Sequence, residues 1–271
     1  MNGYLIAILI ILTGNYLLYL IIENCNLKNI STDLPEEFKD YYDAEKYRKS
    51  QNYLRENTGF GIFSETIFLL ITIIFILFGG FNLIDQFVRG YGYGPIVSGL
   101  IFALVLMFFV QLLHLPFKVY EIFIIEEKYG FNRTTVKTFI LDILKGWFLT
   151  VLIGCPVFAG ILWFFDKTGQ MAWVWCWLGL TLFRVFLMFI APVVIMPLFN
   201  KFIPLEEGDL KKAIEDYACS QNFKMKGVFK MDGSKRSTKS NAFFTGFGKF
   251  RRIVLFDTLI ERHSIDGLVS V

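Results

Sequence analysis

The chain has 271 residues, 55% of them hydrophobic and only 19% charged, with a mean hydropathy of +0.51. A water-soluble core of this size needs more polar surface than that to cover it, so a bilayer is the expected solvent for much of the chain. A net charge of +3, with no basic stripe, predicts no nucleic-acid partner.

Five apolar stretches are long enough to cross a hydrocarbon core of about 30 Å at about 1.5 Å per residue. They lie at about 4–22, 62–84, 96–120, 147–165 and 171–199. The first reads as a span, not a secretory leader: Met1-Asn2-Gly3 carries no basic residue and no small-x-small cleavage site follows. The third holds Pro116, where a kink is expected, and the fifth ends around Pro192 and Pro197.

The connecting segments alternate in charge. Loop 23–61 carries Lys28, Lys39, Lys46, Arg48, Lys49 and Arg55, whereas 85–95 carries only Arg89. Loop 117–146 carries Lys118, Lys128, Arg133, Lys137 and Lys145; the next hairpin carries Lys167, and the segment after Asn200 is rich in Lys and Arg. The positive-inside rule then puts the amino terminus in the lumen, and the long loops and the tail in the cytosol. On that topology the sequons Asn29-Ile30-Ser31 and Asn132-Arg133-Thr134 stay unmodified. Tyr91 and Tyr93 read as interfacial residues of a luminal turn.

The tail reads as a small α+β domain. Pro204 to Gly208 begins a helix through about Cys219, and Met225 to Met231 is a strand followed by a polar turn at Asp232 to Ser240. Asn241 to Phe244, a turn at Gly246 and Gly248, and Arg252 to Phe256 form a hairpin. Asp257 starts a short helix, and Ser264 caps another whose first apolar residues are Leu268, Val269 and Val271. That helix reads as cut short. The division is a helical membrane domain, 1–200, and an incomplete cytosolic domain, 201–271.

Metal chemistry finds little support in the residues themselves. Cys25, Cys155, Cys176 and Cys219 are dispersed, with no C-x-x-C pair, and the only histidines are His114 and His263. No H-E-x-x-H occurs.

Several runs, in order, resemble the type I CAAX prenyl proteases, the Ste24-like intramembrane zinc metallopeptidases. They are Glu45 to Tyr53, Glu126 to Thr134, Ala191 to Phe202 with Pro204 to Gly208, Gly233 to Gly248, and Arg252 to Leu259. The resemblance implies an all-α polytopic fold of seven spans around a water-filled chamber, five of them here, with a zinc domain at its cytosolic end. It implies a metalloendopeptidase of the endoplasmic reticulum membrane that removes C-terminal residues from prenylated CAAX proteins, in contact with membrane lipid. The complete family member holds zinc on H-E-x-x-H plus a later glutamate, a motif expected soon after Ile265 to Val271. This chain is expected to bind no metal and to be inactive alone.

One element carries over. In the family the strand bearing Asn-Ala-aromatic offers its edge to an extended substrate, so Asn241, Ala242, Phe243 and Phe244 are the expected substrate contacts, against the plain reading of a hairpin strand. Lys235, Arg236 and Lys239 either steer a substrate carboxylate or belong to a solvated turn. His114, near Gln111, is expected to hydrogen-bond inside the bundle or to face chamber water. Arg184 is expected to face the chamber or to pair with Asp142 or Glu121. The alternative function is a non-catalytic membrane scaffold that keeps the substrate edge. A transporter lacks the internal repeat that class shows.

Overall fold

The computed structural model describes residues 3–246 and 251–270. Met1 and Asn2 at the amino terminus, Gly248 of the expected hairpin turn and Val271 lie outside the described residues. The chain divides into two compact units, 1–129 and 130–271.

The first unit is helical: α1 (Gly3–Asn29), α2 (Ala44–Leu77), α3 (Gly80–Arg89) and α4 (Pro95–Tyr120). The Asp43 carboxylate caps α2 by accepting the Lys46 N–H at 2.9 Å, which supplies one of the four donors a helix start leaves free. The second predicted span does not run to residue 84. Gly79 takes a left-handed φ of 71° and stops the helix at Leu77, as glycine does just beyond a helix end. Pro95 opens α4 at its first turn, where a missing N–H costs nothing. Beyond Pro116 the helix widens into a π turn at Glu121–Glu126.

Aromatic contacts join α2 to α4. Phe60 stacks on Tyr120 at 4.8 Å, and Phe68 lies 4.8 Å from Phe117 and 3.8 Å from the His114 ring. Tyr16 of α1 and Thr66 of α2 share a hydrogen bond of 2.5 Å.

The second unit opens with α5 (Val136–Leu149) and α6 (Cys155–Thr168), joined by a π turn at Thr150–Gly154. It continues through α7 (Ala172–Ile190), a π turn at Ala191–Ile195 and α8 (Met196–Phe199). The fourth predicted span is therefore only the later part of a helix that begins at Val136, where Thr135 accepts the Thr138 N–H at 3.2 Å. Each π turn lies against or around a proline, Pro156 or Pro192, whose absent N–H interrupts the ordinary helical ladder. Among the described residues five helical segments are long and apolar enough to cross a membrane. Their apolar side chains stay exposed, Ile10 by 66% and Leu182 by 62%, which suits a surface solvated by lipid and not by water.

After α8 come β1 (Phe202–Pro204), α9 (Asp209–Ser220), β2 (Gly227–Met231), β3 (Ala242–Thr245), β4 (Arg252–Phe256), α10 (Asp257–Ile260) and α11 (Ile265–Val269). The sheet order is β1-β2-β4-β3. The β1/β2 and β3/β4 pairs are antiparallel, and β2/β4 is parallel. The α9 helix covers one face. Ile214 of α9, Val228, Leu255, Leu259 and Leu268 form the buried core, and alternation puts Ile253 and Leu255 of β4 on that side. The predicted strand at 252–256, the hairpin and the Ser264 cap all form; Ser264 Oγ accepts the Gly267 N–H at 3.3 Å. The helix expected from Pro204 starts only at Asp209, because Pro204 ends strand β1.

Candidate functional site: an open sheet edge

Among the described residues strand β3 pairs on one side only, with Ala242 opposite Leu255, Phe243 opposite Val254, Phe244 opposite Ile253 and Thr245 opposite Arg252. The Phe256 N–H donates to the Asn241 carbonyl at 3.0 Å. In an antiparallel ladder bonded and non-bonded residues alternate. The inward groups are therefore those of Asn241, Phe243 and Thr245, while those of Ala242 and Phe244 turn to the open side. The Asn241 side chain partly occupies that side: its Oδ1 accepts the Ala242 N–H at 2.9 Å. That leaves the Ala242 carbonyl and both backbone groups of Phe244, three polar groups in a row, free to meet an added strand.

An apolar cavity of about 570 Å³ adjoins this edge. Its walls come from Tyr217 and Ala218 of α9, Phe223 beyond it, Phe244 of β3, and Leu268 and Val269 of α11. Phe244 is 71% exposed and meets Phe223 edge-on at 6.1 Å, and the Arg251 guanidinium sits 4.9 Å above the Phe223 ring. Sequence reasoning found the strand but missed the α9 wall. The one signal it offered was Phe223, an aromatic alone in the polar run Ser220-Gln221-Asn222-Phe223-Lys224.

The segment leading into β3 is tightly fastened. Arg236 forms a double hydrogen bond to the Asp142 carboxylate, at 2.8 and 3.0 Å, and donates to the Phe199 carbonyl at 2.8 Å. Its own carbonyl accepts the Arg133 N–H and the Thr134 hydroxyl. Thr238 bonds back to Phe131 and Gly130. Lys235 reaches the Phe199 carbonyl at 3.4 Å, and Lys239 lies 4.9 Å above the Phe131 ring. Of these cations Arg236 is the tie point, whereas Lys235 and Lys239 remain exposed. The pairing of Arg184 with Asp142 does not occur, since Asp142 carries Arg236 and Arg184 is exposed on α7.

Asp257 closes the other end of the turn. Its carboxylate accepts the Ser234 N–H at 2.9 Å, the Ser234 hydroxyl and the Thr258 N–H at 2.8 Å. Partial burial pushes this carboxyl up, but the three donors outweigh it and hold it below the usual carboxylate range.

His114 lines a cavity of about 310 Å³ with Ser64, Glu65, Lys118 and Glu121 and with Phe60, Phe68 and Phe117. His263 lies in an exposed turn after α10. Among the described residues no cluster of three or more His, Cys, Asp or Glu side chains could hold a metal ion.

Among the described residues, five apolar helical spans and a mixed α/β domain with a sheet edge beside an apolar cavity define a multi-pass membrane protein. Residues 24–201 match the family described as CAAX prenyl protease N-terminal, five membrane helices, and residues 204–271 match peptidase family M48. The chain belongs to the CAAX prenyl protease family. It is 37% identical to a CAAX prenyl protease 1 homolog of Arabidopsis thaliana, over 88% of this chain and 58% of that protein. It is 39% identical to the Homo sapiens homolog, over 87% of this chain and 51% of that one. The crystal structure of S. mikatae Ste24p superposes with a TM-score of 0.90 at 36% identity, covering 98% of this chain and 64% of that one. The chain spans a little over half the length of the curated relatives it matches.

Proposed function

We propose that this chain is the N-terminal part of a membrane zinc metalloendopeptidase that removes C-terminal residues from prenylated CAAX proteins. Its share of that work is to hold the substrate. The observation that carries the reading is the bare edge of β3. A peptide lying along Ala242 and Phe244 forms main-chain hydrogen bonds that hold it extended without reading its sequence, and the adjoining cavity takes an apolar side chain.

Asn241, Ala242, Phe243 and Phe244 are the substrate contacts in this reading. Asn241 exchanges its bond to the Ala242 N–H for one to the incoming backbone. The cleavage step needs zinc ligands that these residues do not contain, since the chain holds two histidines and no H-E-x-x-H. The chain by itself is therefore proposed to bind peptide without cutting it and to keep no stoichiometric zinc. The second reading is a non-catalytic scaffold that retains the edge. The charge alternation of the loops supports a luminal amino terminus and a cytosolic tail, and the endoplasmic reticulum as the membrane is proposed from the family alone.

The test is photocrosslinking. With a benzophenone amino acid in place of Phe244, a farnesylated CAAX peptide is expected to crosslink, and the non-prenylated peptide more weakly. The same group at Lys212, exposed on α9, is expected to give no product. Equal labelling at both positions would remove the substrate edge. Metal analysis after dialysis separates the two readings of catalysis: retained stoichiometric zinc contradicts the inactive chain.

A further inference from the structure

The run from Glu45 to Tyr53 takes no part in the peptide edge, yet its charges are arranged. Glu45, Arg48, Lys49, Arg55 and Glu56 recur at helical spacing along α2 and so share one face. With Lys128 and Tyr129 they line an open cleft of about 620 Å³ within the first unit.

The floor of the cleft is fixed and its acid is used up. The Glu56 carboxylate accepts Lys128 Nζ at 2.6 Å and the Tyr129 hydroxyl at 2.8 Å. Tyr129 is buried, and Tyr53 meets its ring edge-on at 5.2 Å. The wall is different. Arg48 and Lys49 are exposed, and Arg55 gives a single long hydrogen bond, 3.3 Å, to the Ile30 carbonyl. Glu45 is the one other acid among the lining residues, so cations outnumber acids there.

Depth selects the ligand. The apolar run of α2 begins near Ile62, so at about 1.5 Å per residue Arg55 lies about 10 Å and Arg48 about 21 Å outside the hydrocarbon. Headgroups occupy only about 5–8 Å on each side. An ordinary phosphodiester headgroup therefore reaches Arg55 by the inward bend of that side chain and falls short of Arg48 and Lys49. A headgroup that carries a second phosphate outward comes nearer to Arg48 and Lys49, whose long side chains can bend inward to it as Arg55 does. A phosphomonoester there brings a charge of about −1.5 to −2 and three acceptor oxygens.

We propose that this cleft binds a membrane lipid whose headgroup carries a phosphomonoester, a phosphorylated inositol lipid being the simplest. Basic pockets at helix ends facing an anionic leaflet bind such headgroups.

The experiment measures anisotropy of a fluorescent phosphatidylinositol phosphate in detergent micelles against the full 271-residue chain. Fluorescent phosphatidylserine and a soluble inositol phosphate serve as parallel probes. Tight binding of the inositol lipid is expected, with both parallel probes at least tenfold weaker. Arg48→Gln/Lys49→Gln/Arg55→Gln is expected to weaken it at least tenfold. Lys212→Gln/Lys224→Gln/Lys226→Gln, which removes the same charge from exposed tail positions, should leave it within twofold. Glu45→Gln, a milder change at an exposed residue, is expected to tighten it several-fold, so the proposal stays testable if the triple variant fails to fold. Equal binding of phosphatidylserine, or equal loss in the tail variant, would reduce the cleft to a general positive surface. Equal binding of the soluble inositol phosphate would make the ligand a free metabolite and overturn the lipid.

Discussion

Two neighbouring stretches of the tail, Gly233–Thr238 and Ala242–Thr245, are built on opposite plans. The first is bonded from every side: to Asp142, to the Phe199 carbonyl, to Asp257 and to the 130–134 segment. Among the described residues the second pairs with β4 alone, and on its outer side only the Ala242 N–H is covered, by Asn241. An unpaired edge is an aggregation hazard that proteins ordinarily blunt. Here the preceding turn is over-determined and the edge is left open, the arrangement expected when a strand must be held still for a partner that comes and goes. On the proposed reading, the cost of ordering the strand is met before the peptide arrives.

That contrast can be broken from either side. The largest expected effect belongs to Arg236→Ala. It removes three hydrogen bonds, two of them to a carboxylate that is only 24% exposed, and should lower the stability of the tail by about 3 kcal/mol. Arg236→Lys should recover only part of this, because an ammonium cannot form the double bond. Thermal unfolding monitored in the tail reads both. Gly233→Ala comes next. A Cβ there would stand 2.4 Å from the Phe256 ring, and overpacking of that kind costs about 1–3 kcal/mol. Gly233→Ala should therefore also loosen β4, seen as faster amide exchange at Val254 to Phe256.

Asp257→Asn should cost about 1 kcal/mol at pH 7, with a signature in pH. A carboxyl held below its usual range in the folded chain stabilises fully above the ordinary aspartate range. The contribution is lost as pH falls through the depressed folded value. The gap between Asp257→Asn and the parent should close on acidification, and a gap that widens would contradict the assignment. Smallest of all, Asn241→Ala removes only the cover over the Ala242 N–H. It should leave stability within about 0.5 kcal/mol, as for a surface change, while changing peptide affinity several-fold.

How much of this was legible in the sequence follows from the range of the interactions. The spans, the β4 strand, the hairpin and the Ser264 cap are local, set by runs of apolar residues, by alternation and by one side-chain bond. What escaped depends on distant partners. Strand β1 is three residues long and ends in Pro204, and only its pairing with β2 makes it a strand. Arg236 and Asp142 are far apart in sequence, and no local pattern joins them. The early start of the fourth span at Val136 was hidden by Lys137, Asp142 and Lys145; Asp142 there pairs with the tail and Lys145 Nζ donates to the Leu198 carbonyl at 2.7 Å. At the site itself, the strand Asn241 to Phe244 was visible. Its bare side and the α9 wall became visible only with the sheet order.

Amide hydrogen exchange of β3, with and without a farnesylated CAAX peptide, tests the open edge most directly. The Phe244 N–H points outward and should exchange quickly in the free chain and slow at least tenfold when peptide is bound. The Phe243 N–H, already paired to β4, should change little. Slow exchange at Phe244 in the free chain, or no slowing under saturating peptide, would show that this strand is not where the substrate lies.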